Sequence, residues 1–116
     1  MIVGVQGSKS FDDYSIFLRA IGVALRSLPE GDTEFLIYSA GPRQINGYCL
    51  EFANISERSL KAQGIKIKVI KIPPSWIENN LATLNHLLYF SKPKEPLPKV
   101  VSAADAKDVP VGVYRF

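Results

Sequence analysis

Apolar and polar residues follow two rhythms along this chain. Short, nearly continuous apolar runs alternate with longer segments in which apolar residues return every three or four positions. The first run, Met1 to Gln6, is brief, β-branched and stopped by Gly7, which predicts a buried strand. Asp12 or Asp13 is placed to cap a helix, and Tyr14, Phe17, Leu18, Ile21, Leu25 and Leu28 form its apolar stripe before Pro29. After a turn at Glu30 to Asp32, Thr33 to Ser39 predicts a second continuous strand, followed by the small-residue loop Ala40-Gly41-Pro42-Arg43. A second helix is expected from about Ile45 to Gln63, with Cys49, Phe52, Ala53, Ser56 and Leu60 on one face. Gly64 then stands where a left-handed cap is wanted.

The next strand has a different pattern. Between Ile65 and Ile72 the apolar residues are interrupted by Lys66, Lys68 and Lys71, as suits a sheet edge that must not recruit another chain. Pro73-Pro74 ends it, and Trp76 to about Leu87 predicts a third helix with Ile77, Leu81, Leu84 and Leu88 on one side. The run Leu87 to Phe90 reads as a fourth strand, over a length where helix and strand are hard to separate. Pro93, Pro96 and Pro98 stiffen the following loop, Val100 to Lys107 suits a short helix, and Val109 to Phe116 a fifth strand. Strands alternating with helices imply one α/β domain over residues 1–116. Its expected architecture is a Rossmann-like three-layer αβα sandwich around a mostly parallel five-stranded sheet, in the order 3-2-1-4-5.

Composition narrows the function classes. With 116 residues, 47% hydrophobic and 22% charged, the chain suffices for one continuous core but not for two. The net charge of +3 comes from Lys and Arg spread along the chain, without the basic block and interleaved aromatics of a nucleic-acid groove, so nucleic acid is not an expected partner. A single cysteine, Cys49, and a single histidine, His86, supply neither an internal disulfide nor a metal cluster. No metal or cofactor is expected, and a reducing, cytoplasmic location is. No secretory leader is recognisable, and no stretch reaches the roughly 20 apolar residues that span a bilayer, so no membrane association is expected.

Candidate chemistry concentrates after the first two strands, because ligands of open parallel sheets collect outside the carboxyl ends of the strands. Gly7-Ser8-Lys9-Ser10 leaves strand one toward a helix. Its backbone amides, two hydroxyls and one ammonium suit an anion such as phosphate; a tight turn with a polar cap explains the same residues equally well. Gly41 and Arg43 in the second loop offer a close backbone approach and a guanidinium fork for phosphate or carboxylate, or simply a solvated turn. Neither loop carries the three spaced glycines of a dinucleotide fold or a Walker loop. His86, expected on the third helix, reads as a satisfied polar residue, and Cys49 as inert core. Trp76 either stacks on a base or anchors the sheet edge.

These residues carry a resemblance. Ile2 to Tyr14 is similar to the glycine-serine-arginine-serine-phenylalanine-x-aspartate-tyrosine opening of the SLOG superfamily, in its YspA-like branch, and Ser39 to Gly47 resembles that branch's second loop. Gly64-Ile65, Ile72-Pro73-Pro74-Ser75-Trp76 and Asp108-Val109-Pro110-Val111 resemble later junctions. The resemblance implies a lysine-decarboxylase-like Rossmann fold that binds nucleotides or nucleotide-derived ligands, with members acting as sensors or as hydrolases of nucleotide N-glycosidic bonds. By position it implies that Gly7, Ser8, Lys9, Gly41 and Arg43 line the pocket. Lys9 stands where arginine is usual, Asn46 or a neighbour replaces the acid of the second loop, and Leu84-Asn85-His86 reduces the third-helix arginine-asparagine motif. Lys94 to Pro98 replaces a glycine-glycine-threonine turn, and no loop supplies the hydrolase glutamate. The expectation is therefore a non-catalytic domain binding a nucleotide or similar phosphorylated ligand through Gly7, Ser8, Lys9, Ser10, Gly41 and Arg43. Two alternatives stand beside it: an interaction protein with a vestigial pocket, as a homo-oligomer or part of a larger assembly, and a nucleotide N-glycosidase.

Overall fold

The computed structural model describes residues 1–116. Five strands, β1 (Ile2–Gly7), β2 (Glu34–Ser39), β3 (Lys66–Lys71), β4 (His86–Ser91) and β5 (Val111–Arg115), form one sheet in the order β3-β2-β1-β4-β5. Every pairing is parallel, with Val5 level with Ser39 on one side and with Leu88 on the other. The fold is the expected Rossmann-like α/β sandwich, with the expected strand order.

Helices α1 (Tyr14–Arg26) and α2 (Arg43–Ala62) cover one face, burying Phe17, Ile21, Ile45, Cys49 and Phe52 against Val3, Val5, Phe35, Ile37, Leu88 and Phe90. The other face is covered by α3 (Pro74–Asn79), a single 3₁₀ turn at Leu81–Thr83 and α4 (Lys99–Ala106), which bring Ile77, Leu81, Val100 and Ala104 against Leu87. Covering on both faces explains the uninterrupted apolar run Leu87 to Phe90 in β4, all of it buried together with the following Ser91. β3 lies at the edge, as its lysines suggested, and Lys66, Lys68 and Lys71 are exposed.

Local signals account for most element ends. Asp13 is the cap of α1, its side chain accepting from the Ile16 N–H at 3.0 Å. Gly64 adopts the left-handed conformation (φ +77°) just past α2, where a side chain would be strained.

Three expectations are corrected. The third helix is much shorter than Trp76 to Leu87, ending at Asn79, and His86 opens β4 instead of lying on a helix. The Ile2 carbonyl accepts from the Asn85 N–H, and His86 pairs in register with Val3, so the sheet claims these residues before a helix can continue. α2 begins two residues earlier than expected, because Pro42 is preset for the cap position and its carbonyl accepts from the Asn46 N–H. In α1 the buried stripe runs through Ala20 and Ala24, while Leu18 is 36% exposed.

Candidate functional site

The strand order places the topological switch between β1 and β4. The chain leaves β1 toward the α1 face and β4 toward the α4 face, so the loops Ser8–Asp13 and Lys92–Pro98 flank the switch point. The first loop is pinned by Phe11, which is fully buried in an aromatic cluster. Its ring stacks on Phe90 (4.5 Å between centroids) and meets Phe116 edge-on (4.9 Å) and Tyr48 at 6.1 Å. An aromatic anchor of this size fixes the backbone on either side of it.

Two of the backbone amides that the sequence offers to an anion, those of Gly7 and Ser8, are used within the fold. The Gly7 N–H donates to the Gly41 carbonyl (3.2 Å) and the Ser8 N–H to the Phe90 carbonyl (2.8 Å), which continues the sheet pairing past β1 on both sides. The Phe11 N–H is taken by the Ser8 carbonyl (3.1 Å), and the end of α1 is already occupied by the Asp13 carboxylate. Gly7 is required by packing. A Cβ there would lie 2.6 Å from Ile45 Cδ1 and 2.8 Å from the Phe90 carbonyl oxygen, and the latter belongs to a central strand that cannot withdraw. Gly41 is buried behind the second loop and acts as the acceptor joining it to the first.

The side chains divide between two sides of the loop. Ser8 and Ser10 face the β4 side: their hydroxyls share a hydrogen bond (3.0 Å), and the Ser8 hydroxyl donates to Glu95 Oε2 (3.2 Å). Lys9 turns to the β2 side, where it lines an open groove of about 670 Å³ with Pro42, Arg43, Gln44, Gly47, Tyr48 and Glu51. Lys9 and Arg43, assigned to different loops from the sequence, thus border one cavity. Neither is in an ion pair, since the only salt bridge of the chain joins the N-terminal amino group to Asp32. The groove lies at the start of the 20-residue α2, whose Pro42 cap supplies no side-chain acceptor and whose first turn holds no acid. Unpaired amides and the helix dipole there add positive potential to that of the two cations.

Three groove residues were not singled out in the sequence. Gln44, Tyr48 and Glu51 follow one another at steps of four and three along α2, the spacing of a single helix face, and Gln44 Nε2 donates to the Tyr48 hydroxyl at 3.0 Å. Their signal was the polar counterpart of the buried stripe; Tyr48 and Glu51 lie inside the expected helix, and Gln44 joins them because the helix begins at Arg43. Glu51 lies near enough to Tyr14 to raise that phenol above its ordinary value, an effect secondary to burial.

Behind the groove is a buried polar joint. The Ser39 hydroxyl, fully buried at the end of β2, donates to Asn46 Oδ1 and so ties the strand to the first turn of α2. Cys49, one turn further on, is fully buried; burial pushes its thiol up to about 12, against a smaller opposing effect of the Ser39 hydroxyl. A thiol so reluctant to ionise is part of the core and does not act as a nucleophile. Trp76 is packed on Tyr38 of β2, 4.9 Å between ring centroids, on the opposite face from the groove. No helix is long and apolar enough to cross a membrane.

Comparison of the chain with protein-family models, with curated proteins and with solved structures yielded no match.

Proposed function

We propose that the chain binds a phosphorylated small molecule of the nucleotide class in the groove between its first and second strand-to-helix loops. The observation that carries this reading is the convergence of Lys9 and Arg43, neither ion-paired, on one cavity at the uncapped start of α2. An ammonium, a guanidinium fork and helix amides together suit a phosphate group, which accepts hydrogen bonds at three oxygens.

The remaining lining suits a nucleoside better than inorganic phosphate alone. Glu51 is a pure acceptor, placed to receive hydrogen bonds from ribose hydroxyls, and the half-exposed Tyr48 ring provides an apolar surface for sugar or base. The likeness of the Gly7-Ser8-Lys9-Ser10 loop to the SLOG superfamily agrees with this ligand class. Binding is proposed without catalysis, because Glu51 is the one carboxylate of the groove and has no second carboxylate or histidine beside it.

Titration calorimetry and thermal shift with AMP, ATP, ADP-ribose and pyrophosphate test the reading. A real ligand at one hundred times its dissociation constant stabilises the fold by about 2.7 kcal/mol. Lys9→Ala and Arg43→Ala should each abolish that gain; equal shifts in wild type and both variants, or none with any ligand at millimolar concentration, would count against the proposal.

A second reading, an interaction protein with an idle groove, draws on Leu50 and Ile55, which stand 46% and 62% exposed on the outer side of α2. Light scattering separates the two, since this reading requires self-association or a stable partner, and Ile55→Lys should abolish either.

A further inference from the structure

We infer that Glu95 is a built-in competitor for the phosphorylated ligand, holding the Ser8 hydroxyl until the ligand displaces it. This inference rests on the binding reading above and concerns how that same loop is regulated. The switch point between β1 and β4 is where an open sheet of this order ordinarily admits a ligand. Here it is bridged by a carboxylate of the chain itself. The Ser8 hydroxyl donates to Glu95 Oε2 at 3.2 Å, and Ser10 is drawn into the same group through its 3.0 Å bond to Ser8. A carboxylate presents two anionic oxygens in a plane, much as two oxygens of a phosphate do, so it satisfies hydroxyls that would otherwise face an anionic guest.

The segment carrying Glu95 is built as a strap. It runs from Lys92 to Pro98 with prolines at positions 93, 96 and 98, and it is held from below by one side chain of β5. Nη1 of Arg115 lies within hydrogen-bond distance of the carbonyls of Lys92 (2.7 Å), Glu95 (3.0 Å) and Pro93 (3.3 Å) and of the Ser91 hydroxyl (3.3 Å), which share its two N–H groups. The guanidinium thus binds the strap backbone and leaves the Glu95 carboxylate to Ser8. That carboxylate also lies near the buried Tyr89, where it adds to burial in raising the phenol above its ordinary value. Repulsion of a second anion is the direct consequence: a phosphate on Lys9 that extends toward Ser8 meets the Glu95 charge, and it gains the Ser8 and Ser10 hydroxyls only after the strap has moved aside.

Calorimetry of ATP binding to the wild type, Glu95→Gln, Glu95→Ala and Asp105→Asn decides the matter, with folding of each checked by thermal melting. Asp105→Asn makes the same charge change as Glu95→Gln on the exposed face of α4 and sets the background, less than about twofold. Both Glu95 variants should bind at least about tenfold more tightly than wild type. ATP should also accelerate tryptic cleavage of the wild-type Lys94–Glu95 bond, a measurement that needs no variant. Equal affinities in all four proteins, or weaker binding in the Glu95 variants, would overturn the competitor role and leave the binding reading intact. Absence of binding by every folded protein would overturn both. A silent wild type beside a binding Glu95→Ala protein would support the competitor role and count against ligand binding by the wild-type chain.

Discussion

The ring of Phe11 lies on the ring of Phe90, with 4.5 Å between centroids and 19° between planes, so the loop that leaves β1 is anchored in the side chains of β4. Lys9 and Ser8 flank this anchor within three residues, and their directions depend on it. Phe11→Ala should destabilise the fold by about 3–5 kcal/mol in urea unfolding, the cost of emptying a fully buried phenyl site. Phe11→Leu should cost clearly less. If Phe11→Ala unfolds within about 1 kcal/mol of wild type, the loop is not held in this way.

Glycines at two positions should respond with opposite signs. Gly7→Ala forces a Cβ to 2.8 Å from the Phe90 carbonyl oxygen, and we expect it to destabilise by about 2–3 kcal/mol. Gly22 lies inside α1, where the nearest atom to a Cβ is the flexible end of Arg26 at 3.7 Å. Gly22→Ala should therefore stabilise by about 0.5–1 kcal/mol through helix propensity. The pair measured together separates steric need from chain entropy.

Much of this architecture was legible in the hydrophobic rhythm, because each strand is short and apolar and each long helix presents a stripe. The lysines of β3 even indicated its edge position. The segment Leu84 to Phe90 was misread in part because an apolar run of that length satisfies either period, and the deciding influence is the Val3–His86 register, set by a strand more than 80 residues away. The candidate site was legible as residues of two loops that the family resemblance expects to line one pocket. That Lys9 and Arg43 share a groove follows from β1 and β2 being neighbours, whereas Ser8 meeting Glu95 is a contact across 87 positions, for which local sequence carries no signal.

Cys49 should be silent toward thiol reagents in the folded chain and react only as fast as the core opens. Its folded-state ionisation lies near 12, above the ordinary value of 9.0. For a raised thiol the stabilising difference is full below the unfolded value and is lost as pH rises toward the folded one. The stability advantage of wild type over Cys49→Ala should accordingly shrink between pH 9 and 12, by up to about 1.4 kcal/mol per unit. Rapid labelling of the native protein at pH 8 would contradict this placement.

His86, half-buried at the start of β4, has its ionisation lowered by burial. The unfolded chain therefore takes up a proton more readily than the folded one, and stability present above the unfolded value, about 6.5, declines as pH falls through the folded value. Thermal melting should show a loss between pH 7 and pH 5, and in His86→Gln this component of the loss should be missing. An unchanged pH profile in the variant would assign the acid sensitivity to other groups.

Glu51 provides the sharpest test of which ligand the groove prefers, because a carboxylate beside Lys9 and Arg43 affects two kinds of anion differently. Toward pyrophosphate it is a like charge, and Glu51→Gln should tighten binding. Toward AMP the same carboxylate is the proposed acceptor for ribose hydroxyls, and a carboxamide oxygen accepts less strongly than an ionised one, so Glu51→Gln should weaken binding. Each change should be several-fold, on the order of 1 kcal/mol, and opposite in sign. Lys9→Arg adds a planar fork at the phosphate position and should tighten both ligands alike, which distinguishes a phosphate contact from a sugar contact. If Glu51→Gln strengthens AMP and pyrophosphate equally, the carboxylate contributes only its charge, and a phosphorylated ligand without a sugar becomes the better occupant.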